Sequence, residues 1–221
     1  MRFSRRTAVG LGAVALAGLT AVGCSTQSAE GPTAQQDVAA SPAPVAQVED
    51  LRGVHTQVML DSGFVTALES LGLTPGVVGG ASLKQGVLSF PITGGDVKYY
   101  QPGTVDPFVQ GEILHDGSGI TLASGDTKVT LEDFDIDPGT SKLFGKVSVN
   151  GKVAAESAYL FFLDGTTLQP LATGPNNTAV LEGTTVKISP DAADLLNATF
   201  ETDAVEPDLV VGIAKITIST K

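Results

Sequence analysis

From residue 82 to the C-terminus, the sequence consists of short runs rich in Val, Ile, Thr and Phe, separated by Gly, Asp, Asn and Pro. Short runs bounded by turn-forming residues are typical of β-strands. The clearest hairpin signal is Val147 and Val149, then Asn150–Gly151, then Val153, because an Asn-Gly pair favours a tight turn between strands. The predicted strands are 86–92, 96–100, 109–115, 119–123, 128–136, 143–149, 152–163, 179–188 and 209–219.

Two short helical segments interrupt this pattern. Asp61 or Ser62 can cap the first, and Ser189 followed by Pro190 has the residue types that open a helix. Many strands with one or two short helices predict an all-β fold, mainly an antiparallel β-sandwich or an open barrel. Alternating β-α units are not expected, because too few helices are available to cross between parallel strands.

The first 23 residues have the layout of an export signal. Arg5 and Arg6 precede an apolar run over residues 8–19, and small residues lead to Cys24, the only cysteine. The run is shorter than the roughly 20 residues of a spanning helix, which indicates a removable signal peptide, 1–23. This is the bacterial lipoprotein pattern, in which the cysteine accepts a lipid. It predicts a lipid anchor at Cys24 on the extracytoplasmic face of the cell membrane, and leaves general and twin-arginine export both open.

Composition then divides the rest of the chain. Residues 24–51 are rich in Ala, Gln, Ser and Pro, and we interpret them as a lipidated flexible tether, because such a segment buries too little apolar surface to order itself. Residues 52–221 are long enough for a single β-rich domain with its own core. Its folding cannot rely on disulfides, because no cysteine other than Cys24 is present.

Charge limits the partners. The chain has 24 acidic and 13 basic residues, for a net charge of −11. Loss of Arg2, Arg5 and Arg6 with the signal would make the balance more acidic still. Nucleic acid is therefore not an expected partner, because binding a phosphate backbone needs clustered Lys and Arg.

Three acids occupy alternate positions in one predicted strand. Asp133, Asp135 and Asp137 would share one face, and Asp-x-Asp-x-Asp also opens the calcium loop of an EF-hand. Pro138 stands where that loop needs its turn glycine, and Phe144 stands where it needs a bidentate acid. A solvated face is the favoured interpretation, and no metal site is predicted.

The candidate binding residues are His115, Tyr99 and Tyr100. His115 ends a predicted apolar strand just before an Asp116–Gly117 turn, which would place it at the rim of a sandwich or barrel, where β-domains often hold ligands. Adjacent strand residues point to opposite faces, so at most one tyrosine would enter a given pocket. His55 is the only other histidine, and no catalytic motif accompanies either one.

The run 111–117, followed by Ile120, Leu122 and Val129, resembles the strand, His-x-Gly turn and strand segment of HtaA-type domains. These are β-rich cell-surface modules of actinobacteria associated with haem uptake. The resemblance implies that His115 is a haem-pocket histidine. The family's opening segment carries a tryptophan and a tyrosine, where this chain has Phe64 and Leu68, so the usual phenolate partner for ferric iron is missing.

These observations predict an exported, lipid-anchored surface domain that acts without catalysis, by binding or as an envelope component. Its expected partners are the membrane, through Cys24, and a small apolar ligand or a surface protein. No cofactor is expected. One alternative is an HtaA-like carrier of haem or another apolar ligand. A second is an uncharacterised hydrolase, which would need a nucleophile within reach of His55 or His115.

Overall fold

A computed structural model describes residues 41–221 of the chain. The predicted signal peptide, Cys24 and most of the predicted tether lie outside these residues. Within them, every pairing between strands is antiparallel, which confirms the predicted all-β class. None of the described helices is long and apolar enough to cross a membrane.

The described part contains thirteen strands, two α-helices and one short 3-10 turn, Gly165–Thr167. The helices are α1 (Ser62–Ser70) and α2 (Pro190–Phe200). The strands are β1 (Ala46–Val48), β2 (Val54–Leu60), β3 (Thr74–Gly79), β4 (Ser82–Lys84), β5 (Val87–Pro91), β6 (Gly94–Tyr99), β7 (Val109–Ser124), β8 (Thr127–Asp137), β9 (Lys142–Val149), β10 (Lys152–Asp164), β11 (Ala172–Gly174), β12 (Thr178–Ile188) and β13 (Val210–Ser219).

All the strands belong to one sheet. Its order is β1-β6-β7-β8-β9-β10-β12-β13-β2-β5-β4, with β11 added beside β12 and β3 beside β7. Thr56 of β2 and His115 of β7 are hydrogen-bonded at 2.8 Å, although five strands separate β2 from β7 in this order. The sheet therefore curls over its own inner face, where the apolar residues of each strand gather.

Both helices begin where the sequence predicts. The Asp61 carboxylate accepts a hydrogen bond from the backbone N–H of Gly63 at 2.7 Å, and the Ser189 hydroxyl accepts one from Ala192 at 3.0 Å. These bonds satisfy backbone donors that have no partner within the helix. The buried faces of the helices join the core of the sheet through Phe64 and Leu68 of α1 and through Ala192, Ala193 and Leu196 of α2.

The folded part begins before residue 52. Ala46–Val48 falls within the predicted tether, but in the structure it pairs with β6, and Leu51 is only 1% exposed. The backbone N–H of Leu51 also donates to Gly95 at 2.9 Å. The low apolar content of the preceding residues concealed this short strand, which is ordered by the edge of the sheet beside it.

The predicted turn at Asp116–Gly117 is wrong, and a second Gly-containing pair, Glu182–Gly183, behaves in the same way. The Asp116–Gly117 and Glu182–Gly183 pairs lie inside the long strands β7 and β12, where the register shifts as it does at a β-bulge. Gly117 has φ of 68° and Gly183 has φ of 110°, so both supply the backbone conformation that a bulge requires. The Asn150–Gly151 hairpin is confirmed between β9 and β10, with φ values of 50° and 77°.

Candidate ligand-binding site

A cavity of about 420 Å³ lies inside the curled sheet. Aliphatic and aromatic side chains from most of the strands form its wall, and none of the described residues that line it is charged. Polar groups on the wall are few, and they include Thr56, Tyr99 and His115. The interior of the domain is therefore not filled by its own side chains, and what remains open is an apolar space.

The two ends of the cavity differ. Leu88, Ile120, Phe161 and Val211 line it and also line a smaller space of about 40 Å³ beneath the helices, so this end is closed by the core that packs against α1 and α2. At the other end the wall includes β1 and residues that are exposed or half-buried, among them Gln47. We call this second end the mouth.

His115 is fixed in the wall by both of its ring nitrogens. It is 1% exposed; Nδ1 lies 3.3 Å from the backbone oxygen of Phe134, and Nε2 lies 2.8 Å from Oγ1 of Thr56. A carbonyl oxygen can only accept a hydrogen bond, so Nδ1 carries the proton. In the neutral ring, Nε2 is then an acceptor, and the Thr56 hydroxyl donates to it.

Burial keeps this ring neutral. It lowers the pKa of His115 from 6.5 to about 4, against smaller opposing effects from the carbonyls of Phe134 and Ile113 and from the charge of Asp116. A cation at this position would lose its hydration within an apolar wall. At neutral pH the Thr56–His115 pair is consequently an uncharged hydrogen-bonding group.

The predicted position of His115 at a rim is wrong. Because Asp116–Gly117 forms a bulge instead of a turn, β7 continues past it, and His115 stands in the wall between Ile113 and Ile120. His55 does not approach it. Strand alternation points Thr56 inward and His55 to the opposite face of β2, where it is half-buried.

The two tyrosines separate as alternation requires. Tyr99 lines the cavity and packs edge-to-face on Phe108, with ring centroids 5.7 Å apart, whereas Tyr100 is not part of the lining. Tyr99 pairs with Val109, six residues before His115 on β7, which is roughly 20 Å along the strand. The structure thus brings Tyr99 and His115 to one cavity but not into contact. The role of His115, Tyr99 and Tyr100 in binding stays a prediction.

The acid row does not form a single face. Asp133 has φ of 54°, and its carboxylate accepts from the backbone N–H of Gly117 at 2.8 Å, which ties it to the bulge in β7. Asp137 accepts from the Thr140 hydroxyl at 2.7 Å. Burial raises the pKa of the half-buried Asp135, and the charges of Glu112 and Asp137 add to this. Among residues 41–221, no three His, Cys, Asp or Glu side chains are grouped to hold a metal.

Sequence reasoning missed Thr56 and Phe134 as partners of His115. Thr56 alternates with Val58 on β2, so its inward direction could have been predicted from the strand pattern. The contact itself joins residues 59 positions apart, and it depends on the curl of the sheet. Nothing in the local sequence indicates that contact.

Thr56, His115 and the Phe134 carbonyl are also arranged like the groups of a catalytic triad: a hydroxyl, a base, and a group that orients the base. A general base works best with a pKa near the operating pH, and a pKa of about 4 makes His115 a weak one at neutral pH. The arrangement therefore suits a fixed polar contact better than proton abstraction.

Comparison with known proteins supports the fold. No protein-family model and no curated protein sequence matches the chain. The C-terminal domain of HtaA from Corynebacterium glutamicum matches with a TM-score of 0.53 at 11% identity, over 77% of this chain and 98% of that domain. The chain shares the fold of this HtaA domain. The fold that the HtaA-type resemblance implied is thus confirmed.

Two further structures from the same organism are similar at lower scores. The heme binding protein HtaB has a TM-score of 0.46 at 9% identity, over 79% of this chain and 96% of HtaB. A domain-swapped dimeric variant of the HtaA domain, with one histidine replaced by alanine, has a TM-score of 0.45 at 12% identity, over 72% of this chain and 91% of that variant.

Proposed function

We propose that this domain binds a small apolar molecule in its cavity and acts as a binding module, not as an enzyme. The observation that supports this is the uncharged, mainly apolar wall around about 420 Å³. Protein interiors are usually packed as densely as organic crystals, whereas ligand sites occupy roughly 300–1,000 Å³ and are lined mainly by apolar side chains. The cavity fits the second description.

The predicted lipid anchor belongs to the same proposal. With Cys24 lipidated, the domain is held outside the cytoplasmic membrane, and the tether enters it at β1. Because Ala46, Gln47 and Val48 of β1 line the cavity, the tether reaches the domain beside the mouth.

The test is a titration of the full chain with phenylnaphthylamine, an uncharged dye that fluoresces in apolar surroundings. We expect saturable enhancement and a raised melting temperature, because a ligand that prefers the folded state stabilises it. Ala179 lines the cavity, so Ala179→Trp should reduce dye binding; Ala172 is exposed on β11, so Ala172→Trp is the matched control. Absence of enhancement in the parent chain contradicts the proposal.

Haem is a second candidate, favoured by the presence of Tyr99 and His115 on one apolar cavity. The residues do not fit haem held through His115. Its Nε2 already accepts from Thr56, and Nδ1 donates to Phe134, so no lone pair is free for iron. The described residues of the lining also offer no cation to pair with the haem propionates.

A hemin titration separates the two candidates. A shifted Soret band that is lost in both His115→Ala and Tyr99→Phe favours a haem carrier. An unshifted band, together with dye binding, favours a site for other apolar ligands. Tyr100→Phe is the control, because Tyr100 is a neighbouring tyrosine outside the lining.

A further inference from the structure

The wall of the cavity disfavours ligands that carry a charged group. Moving a carboxylate or ammonium group from water into an apolar site without a partner is costly, and no described lining residue can supply a counter-charge. The chain also has a net charge of −11, which repels anions as they approach. Carboxylates are therefore disfavoured both during approach and inside the cavity.

The polar contact on the wall has a fixed direction. The Phe134 carbonyl holds the proton of His115 on Nδ1, so the hydrogen of the Thr56 hydroxyl is committed to Nε2. A hydroxyl has one hydrogen and two acceptor lone pairs, and no other hydrogen bond of Thr56 Oγ1 is found among the described residues. Towards the cavity, the Thr56 oxygen can accept a hydrogen bond and cannot donate one.

We propose that the ligand is an uncharged apolar molecule carrying a hydroxyl or N–H group that donates to Oγ1 of Thr56. This inference rests on the proposed function and specifies its ligand class. An alcohol with an apolar chain or ring system meets both requirements. A carboxylate is charged and therefore does not meet the first requirement. An ether or ester of the same size has no hydrogen to donate to Thr56 and does not meet the second.

The test is competition against phenylnaphthylamine on the full chain, with dodecanol, its methyl ether and dodecanoate at neutral pH. A neutral hydrogen bond contributes about 0.5–1.5 kcal/mol net, so dodecanol should compete at a concentration about two- to twelvefold lower than the ether. Dodecanoate should be the weakest of the three. Equal competition by alcohol and ether, or stronger competition by dodecanoate, overturns the inference and leaves the proposed function standing.

Two variants test the direction of the hydrogen bond. His115→Phe removes the acceptor of the Thr56 hydrogen, so the Thr56 hydroxyl becomes free to donate to the ligand. Dodecanol and its methyl ether should then compete at about equal concentrations. Thr56→Ser keeps the hydroxyl and should keep the preference. A preference retained in a folded His115→Phe variant overturns the inference.

The comparison of the three compounds in the parent chain decides the matter even if His115→Phe does not fold. Failure of every compound and of the dye to bind overturns the proposed function and this inference together. Binding of the dye with no alcohol preference overturns the inference alone.

Discussion

Thr56 on β2 and His115 on β7 are joined by a 2.8 Å hydrogen bond across the interior of a curled sheet, although their strands share no backbone pairing. Thr56 is 4% exposed and His115 is 1% exposed, so water cannot readily replace either partner. The pair links two distant parts of the sheet and supplies a polar contact in an otherwise apolar stretch of the cavity wall.

Thr56→Val should destabilise the domain by about 1–3 kcal/mol, because Nε2 of His115 loses its partner while remaining buried. Thr217→Val is the control, since Thr217 is a half-buried threonine at a neighbouring β13 position with no side-chain hydrogen bond among the described residues. Urea unfolding followed by circular dichroism measures both. Equal effects of the two substitutions would show that the Thr56–His115 bond contributes little to stability.

The free energy of unfolding should fall as pH drops from about 6.5 to about 4. In this range the unfolded chain protonates His115 more readily than the folded domain does, since burial holds the folded pKa at about 4. The unfolded state then binds more protons, which costs the folded state up to about 3 kcal/mol near pH 4. Urea unfolding at pH 5 and pH 7 measures it. In His115→Phe, the part of the pH dependence of the unfolding free energy that is due to His115 should vanish. An unchanged pH dependence would contradict its attribution to His115.

Gly119→Ala should be strongly destabilising, because an added Cβ would lie 2.2 Å from the backbone oxygen of Leu131 and 2.7 Å from Cα of Glu132. Both contacts are with the backbone of β8, so strands β7 and β8 would have to separate beside the bulge. Gly165→Ala is the control, since nothing lies within 4 Å of the added atom and its φ is not positive. Thermal melts of both variants give the comparison, and similar melting temperatures would argue against this close approach.

A chain truncated to begin at residue 52 should be less stable than one that begins at residue 41. The shorter chain lacks β1 and the 1% exposed Leu51, whose burial contributes about 1.5–3 kcal/mol. Chemical denaturation of the two chains tests this. Arg52 is exposed, so a third chain that begins at residue 53 should match the one that begins at residue 52. Equal stability of the chains beginning at 41 and 52 would place β1 outside the cooperative fold.

Cys24→Ala should release the protein from the membrane fraction and abolish labelling by a clickable fatty acid. A single acyl chain binds membranes only marginally, whereas two or more anchor a protein stably, so loss of the lipidated cysteine should shed the domain into the medium. Ser25→Ala, at the next position, is the control and should keep the label. An unlabelled parent protein contradicts the predicted anchor.

Features set by neighbouring residues could be predicted from the sequence. The Asn150–Gly151 hairpin and the caps at Asp61 and Ser189 depend on a few adjacent side chains, and the structure confirms each of them. The all-β class follows from the same local signals, repeated along the chain.

Features set by distant contacts could not be predicted. An Asp-Gly pair suits either a turn or a bulge. At Asp116–Gly117 the neighbouring strand β8 favours the bulge, because the Asp133 carboxylate accepts a hydrogen bond from the backbone N–H of Gly117. Whether His115 stands at a rim or in the wall follows from that decision. The cavity depends on how far the sheet curls, which no alternation pattern encodes.

The ordered path of strands begins with β1 and ends with β4, each only three residues long. A long, flat edge offers a row of unpaired amides and carbonyls to the edge of another molecule, and very short terminal strands leave little of that row open. β3, which lies off the path beside β7, carries Pro75, which has no N–H to offer. A second copy of the sheet would therefore find little free backbone to pair with at the two terminal strands.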